Sequence, residues 1–208
     1  TRDQSDDSGA LDHVRGVVGI QKACVLEHLS HGFLFDETLD LATARKFPVI
    51  CLPNVGVLSD GEIELFHDYV KDGGKLLITG RTGLRNEFGV VIPAEKIEPL
   101  TGALVVGQMK GKDAWLRFTE FEDSNSEKNE LTRAMIGRSI PPAWPFLVEG
   151  PATIYKPTSG VGAGDLMDSD RALLPAAESY NKDWPLSARS VVGPAVISHR
   201  IQNGEVLT

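Results

Sequence analysis

The chain has 208 residues, 41% of them hydrophobic and 24% charged, with 21 glycines, enough apolar material for one sizeable core and too much for bulk disorder. Lys and Arg number 21 against 29 Asp and Glu, a net charge of −8, and an acidic surface repels a phosphate backbone, so a general nucleic-acid binder is disfavoured. No run approaches the roughly 18 apolar residues of a membrane helix, and 2 cysteines are too few for a disulfide scaffold or a four-thiolate zinc site.

The chain opens at Thr1 with a polar lead holding Asp3, Asp6 and Asp7 and no basic-then-apolar secretion signal. Its last residues, from Ile201 to Thr208, read as a turn entering a strand. Both ends suit a segment of a larger multidomain protein, and localisation is not legible from a segment. Residues 11–31 place Leu11, Val14, Val18, Val25 and Leu29 on one row and Val17, Ile20 and Cys24 on another. That spacing predicts an amphipathic helix, with Gly32 as its stop. Phe33-Leu-Phe35 reads as a short strand, and Phe47-Pro-Val-Ile-Cys-Leu52 as a strand covered on both faces.

Ser59-Asp-Gly-Glu62 is a capping box at a helix start. Ile63, Phe66, Tyr69 and Val70 supply one apolar face, Gly73-Gly74 ends the helix, and Lys75-Leu-Leu-Ile-Thr79 is a second buried strand. Strand, capped helix and strand predict a right-handed parallel crossover. Beyond Gly80, short strands are expected at 104–106, 115–118, 152–155 and 195–199, and a helix at 127–136. Pro141, Pro142, Pro145 and Pro151 mark irregular chain, as do the glycines from Gly160 to Gly164. No repeat or linker interrupts the chain, so residues 1–208 read as a single α/β domain with a loop-rich second half.

Ligands of open α/β sheets sit beyond the carboxyl ends of the parallel strands, which directs attention to Thr79-Gly-Arg-Thr-Gly83. A nucleophile elbow there would mount Ser or Cys; this chain has Arg81 and Thr82, and a threonine nucleophile usually takes a terminal amine as its base. The non-catalytic reading is preferred. Cys24 and Cys51 fall on an inner helix face and mid-strand, where thiols act as small hydrophobes. His28 and His31, ahead of Asp36 and Glu37, have metal-ligand spacing but no evident third ligand, and read as histidines favoured at a helix C-terminus. His199 has no Ser or Cys partner and reads as a structural histidine. Asp165, Asp168 and Asp170 lack the ligand spacing of a calcium loop and read as solvated turn acids. Gly160-Val-Gly-Ala-Gly164 lacks the third glycine of a dinucleotide fingerprint, since position 165 is Asp, and reads as a flexible loop. Glu120, Glu122 and Asp123 are a paired-acid arrangement of the glycosidase kind, with a solvated edge as the default. Trp115, Trp144 and Trp184 are open to three roles: stacking on sugars, anchoring a protein interface or covering the core. No metal site and no cofactor are expected.

The stretch from Phe47 through Pro53-Asn54 and Leu58-Ser-Asp60 to Tyr69-Val-Lys-Asp-Gly-Gly-Lys-Leu-Leu-Ile-Thr-Gly80 resembles the glutamine-amidotransferase-like domain of glycoside hydrolases, best known as the β-galactosidase trimerisation domain of family 42. The closing Gly193-Pro-Ala-Val-Ile-Ser-His199 and its continuation to Val206 are similar to that family's late hairpin, with Gln202-Asn-Gly204 where the family has Gly-x-Gly. The resemblance implies a three-layer flavodoxin-like α/β domain, with helices on both faces of a mostly parallel sheet. A first strand would precede the helix at 11–31, and here it is missing or lies upstream. Class I amidotransferases carry Gly-x-Cys-x-Gly and a later His-x-Glu; here the bend is Gly80-Arg-Thr-Gly83 and Ile201 stands two places after His199, so the glutaminase dyad is absent. The resemblance therefore implies a non-catalytic accessory domain of a β-galactosidase-like hydrolase, homo-oligomeric through this domain, with a catalytic barrel in the same polypeptide. Its ligand-side or interface loops would present Asn54, Arg81, Thr82 and Arg85, with Trp115, Trp144, Trp184 and His199, and carbohydrate is a candidate partner. The alternatives are a small hydrolase or amidohydrolase using Thr82 or His199, and a carbohydrate-binding module.

Overall fold

The computed structural model describes residues 7–109, 113–118, 145–149, 152–168 and 190–208. The helix expected at 127–136, the acids Glu120, Glu122, Asp123 and Asp170, and the tryptophans Trp144 and Trp184 lie outside the described residues. In chain order the elements are α1 (Asp7–Leu26), α2 (Leu41–Ala44), β1 (Val49–Pro53), α3 (Asp60–Lys71), β2 (Lys75–Thr79), α4 (Ala94–Thr101), β3 (Ala103–Gln108), β4 (Asp113–Arg117), β5 (Phe146–Glu149), β6 (Thr153–Pro157), β7 (Val161–Ala163), β8 (Asp165–Asp168), β9 (Ser190–Gly193), β10 (Val196–Ile201) and β11 (Gly204–Leu207). The fold is mixed α/β, with several sheets and more strands than helices among the described residues.

The chain forms two compact units, one of residues up to Thr101 together with His199–Thr208, the other Gly102–Ser198. In the first, β1, β2, β11 and β10 lie in that order, with β1 and β11 both parallel to β2. The Ser59–Glu62 capping box is present in both directions: Glu62 N–H donates to Ser59 Oγ and Ser59 N–H to the Glu62 carboxylate. From that start α3 lays Phe66, Tyr69 and Val70 into a core with Ile50, Leu52, Leu76, Ile78, Leu100 and Val206. Tyr69 brings a polar end into this core, and its hydroxyl can donate its one proton to the carbonyl of Phe47 (2.9 Å) or of Lys75 (3.3 Å). Gly73, at φ 106°, breaks the helix, and the tyrosine ring fills the space a side chain at Gly74 would need.

Several sequence expectations require correction here. α1 ends at Leu26, not at Gly32. The left-handed residue is His28 (φ 56°), and Leu29 N–H to Cys24 O (2.8 Å) with His28 N–H to Val25 O (3.2 Å) close a Schellman motif around it. Phe33–Phe35 joins no ladder. Among the described strands the parallel ladders join β1, β2 and β11, and the ladders of the second unit are antiparallel.

In that second unit β3 pairs with β6, and β5, β4, β8 and β9 form a four-stranded sheet over Met109, Ala114 and Leu166. Residues 160–164 are not a flexible loop. Val161–Ala163 is β7, paired with Val196–Ser198. Side chains added at Gly160, Gly162 or Gly164 would run into Ile197, Pro194 and Phe118 respectively. Asp165 and Asp168 are strand residues, not turn acids: Asp165 accepts from Arg117 Nε (3.0 Å) and Nη2 (2.7 Å), and Asp168 Oδ1 is buried without a partner.

Candidate functional site at the carboxyl ends of the parallel strands

β1 and β2 run in register, Val49 opposite Lys75 and Pro53 opposite Thr79, so their carboxyl ends open onto the same two loops. Asn54 leaves β1 in the left-handed region (φ 51°), and its Oδ1 accepts the Arg81 N–H at 2.7 Å. Gly80 turns left-handed as well (φ 64°), and a Cβ there would lie 2.5 Å from that same Oδ1. Only glycine permits both the dihedral and the approach.

Thr82, the nearest candidate to a nucleophile, is fully buried. Its Oγ1 accepts the Val55 N–H at 2.9 Å and can donate its one proton to Thr79 O (2.8 Å) or Leu52 O (3.0 Å). Gly83 N–H donates to Val55 O at 2.9 Å. The bend is therefore laced to β1 by backbone and hydroxyl bonds, and the hydroxyl meets neither solvent nor an imidazole. His199 sits on β10 with Nδ1 3.2 Å from Leu100 O. A carbonyl only accepts, so Nδ1 carries the proton. Thr82 and His199 are not brought together.

What reaches the rim is a charge-balanced polar group. The Arg81 guanidinium lies 3.5 Å from the Asp12 carboxylate, each about a quarter exposed. His13 Nδ1 donates to Pro53 O at 2.9 Å. Sequence reasoning missed Asp12 and His13. The available signal was that a helix antiparallel to a neighbouring strand puts its first turns at that strand's carboxyl end. An Arg–Asp pair beside an imidazole can hydrogen-bond a polar surface.

Arg85 organises the adjoining loop. Its Nη1 donates to Gly89 O (2.7 Å), and its backbone bonds Gly56 and Leu58. Asn86 Oδ1 accepts from the amides of Phe88 (3.1 Å) and Val90 (3.0 Å). This pinned turn presents Phe88 at 80% exposure, with Val90 and Val91 also in water.

The remaining candidates are scattered. Trp115 is buried in β4 of the second unit, where it can cover a core but not stack on a ligand in solvent. Burial pushes the Cys51 thiol pKa up, and nearby Cys24 adds to the rise, the reverse of what a reactive thiolate needs. His28 serves the α1 cap, and His31 Nδ1 bonds Leu29 O at 3.1 Å. In the second unit the Tyr155 hydroxyl is buried without a partner, and burial pushes its pKa up to about 12.

No family model matches the chain, and no curated protein matches it. Solved structures do. Gan42B, a GH42 β-galactosidase from G. stearothermophilus, aligns with a TM-score of 0.51 at 12% identity over 79% of this chain and 19% of its own. The β-galactosidase of Rahnella sp. R3 gives 0.51 at 12% over 78% of this chain and 20% of its own. The exo-β-1,4-mannosidase Op5Man5 of an Opitutaceae bacterium gives 0.52 at 14% over 94% and 26%. These are likenesses of fold, and the chain spans about a fifth to a quarter of the length of each neighbour.

Proposed function

We propose that the chain is a non-catalytic accessory domain of a multidomain glycoside hydrolase, of the three-layer amidotransferase-like type, serving self-association of the parent enzyme. The observation that carries the non-catalytic reading is the bend at 80–83, whose hydroxyl is consumed by backbone groups. The fold likeness to segments of β-galactosidases and of an exo-mannosidase supports the parent class. The interface reading draws on the loop beside the bend. Phe88, Val90 and Val91 project from a turn already fixed by Arg85 and Asn86, so docking them buries apolar surface at little ordering cost.

The test uses the full-length polypeptide. Phe88→Asp places a charge at the centre of the interface and is expected to weaken self-association by about 30-fold or more, the scale of a hot-spot residue, as read by light scattering over a dilution series. An unchanged oligomer refutes the interface. The double variant Thr82→Ala with His199→Ala is expected to keep glycoside turnover per folded molecule. A specific loss of amidase turnover would instead establish the hydrolase alternative.

A further inference from the structure

We propose that Cys24 and Cys51 form a reversible disulfide that fastens α1 to β1, closed and opened by exchange with low-molecular-weight disulfides and thiols. β1 alternates its side chains. Ile50 and Leu52 point into the core shared with α3, so Val49, Cys51 and Pro53 point to the opposite face. α1 lies on that face. Gly16 packs on the Pro53 side chain, where an added Cβ would stand 3.2 Å from Pro53 Cβ, and His13 bonds Pro53 O. Among the described residues of α1, Asp12, His13, Gly16, Val17, Ile20 and Cys24 are half-buried, one stripe at three-and-four spacing. The stripe runs from Pro53 back along β1 and ends at Cys24, close enough for Cys24 to oppose ionisation of the Cys51 thiol.

The spacing suits a bridge. Cys24 stands ~12 Å beyond Gly16 along the helix, and Cys51 ~7 Å from Pro53 along the strand. Helix Cα–Cβ bonds tilt towards the helix N-terminus, here towards Cys51, which shortens the offset. A disulfide needs Cα atoms within about 7 Å of each other, and Gly16 brings the helix down on the strand by leaving out the side chain that would hold it off. The chain has 2 cysteines, so the pairing is unique within it. The helix also gains from a fastening. Val14, Val18 and Val25 are more than half exposed, so burial alone holds α1 weakly, yet it carries Asp12 to Arg81 and His13 to Pro53.

Two exchanges close the bridge. Cys24, flanked by exposed Ala23 and Val25, attacks one sulfur of a low-molecular-weight disulfide as the thiolate, and the first thiol leaves. Cys51 then attacks the Cys24 sulfur of the mixed disulfide, the second thiol leaves, and the Cys24–Cys51 bond forms. The two protein thiols thereby give two protons and two electrons to the oxidant's two thiols. The raised pKa of Cys51 slows the second attack without setting the equilibrium, which follows from how the fold holds the two sulfurs.

The test equilibrates the intact, folded protein in buffers of oxidised and reduced glutathione, alkylates the remaining thiols and maps peptides by mass spectrometry. The expected product is a cross-linked peptide joining Cys24 to Cys51, lost again in excess reduced glutathione. The oxidised protein is expected to melt ~5 °C or more above the reduced one, a gain that Cys24→Ser abolishes. Glutathione carried separately on each cysteine, or both thiols still open to alkylation in the oxidising buffer, overturns the proposal. So does a bridge that forms only in urea, a bridge to a second copy, or a Cys24–Cys51 bond that leaves the Tm unchanged.

Discussion

Thr82 illustrates how a hydroxyl at the carboxyl ends of parallel strands can be structural. Replacing it with Val keeps the volume but leaves the Val55 N–H without its acceptor. The expected cost is about 1–3 kcal/mol in urea unfolding, as for other stranded buried donors, and Thr82→Ser recovers most of it. The motif Gly80-Arg-Thr-Gly83 locates this bend in the sequence. It cannot say that the side chain points back into the strands, because hydroxyl direction follows from the left-handed turn at Gly80 and the Asn54 amide that receives it.

His67 is a second residue whose environment has a measurable consequence. Burial lowers its pKa below 6.5, helped by the Lys71 and His199 charges and opposed by Asp68. The folded state thus disfavours the proton that the unfolded chain accepts. Its contribution to stability is complete above about pH 6.5 and lost as pH falls through the lowered value. The Tm is expected to drop on acidification from pH 7 towards pH 5, with a shallower slope in His67→Gln. Equal slopes would mean that other groups carry the acid response.

Among the elements, α3 is the most legible in the sequence, because cap, apolar face and glycine stop agree with one another. Ser59→Ala removes the Glu62 N–H acceptor and is expected to cost about 1 kcal/mol in thermal or urea unfolding. α4 is hidden by Pro99, which reads as a breaker; within so short a helix it forfeits only one main-chain bond. The periodicity of α1 is plain, but Gly32 draws its expected end too far along the chain. Histidine is one of the residue types enriched at positive φ, and His28 takes the stop role. The glycines at 160–164 mislead for a related reason. Glycine suits both a flexible loop and a crowded strand, and here the spacing reports where packing leaves no room for a Cβ.

For the whole molecule, the chain forms two compact units. The chain passes between them at Thr101–Gly102 and at Ser198–His199. The first passage leads from α4 into β3 almost without a break, and the second lies inside β10. No Pro-, Gly- or Ser-rich linker marks either point, so composition carries no signal. The candidate site is half legible for a comparable reason. Strand ends point to Asn54, Arg81 and Arg85, but Asp12 reaches Arg81 from a helix distant in sequence. The self-association that Phe88→Asp would test belongs at this scale.

Val206 lies opposite Leu76, and β11 fills the place between β2 and β10, where a side chain at Gly204 would overlap the Val70 and Gly74 carbonyl oxygens. During synthesis β2 therefore emerges from the ribosome long before the partner that completes its far flank. Unit 1 cannot close co-translationally in the order its parts appear. A chain that stopped ahead of Gly204 would carry a slot through the middle of this sheet and would be a ready substrate for chaperones and proteases.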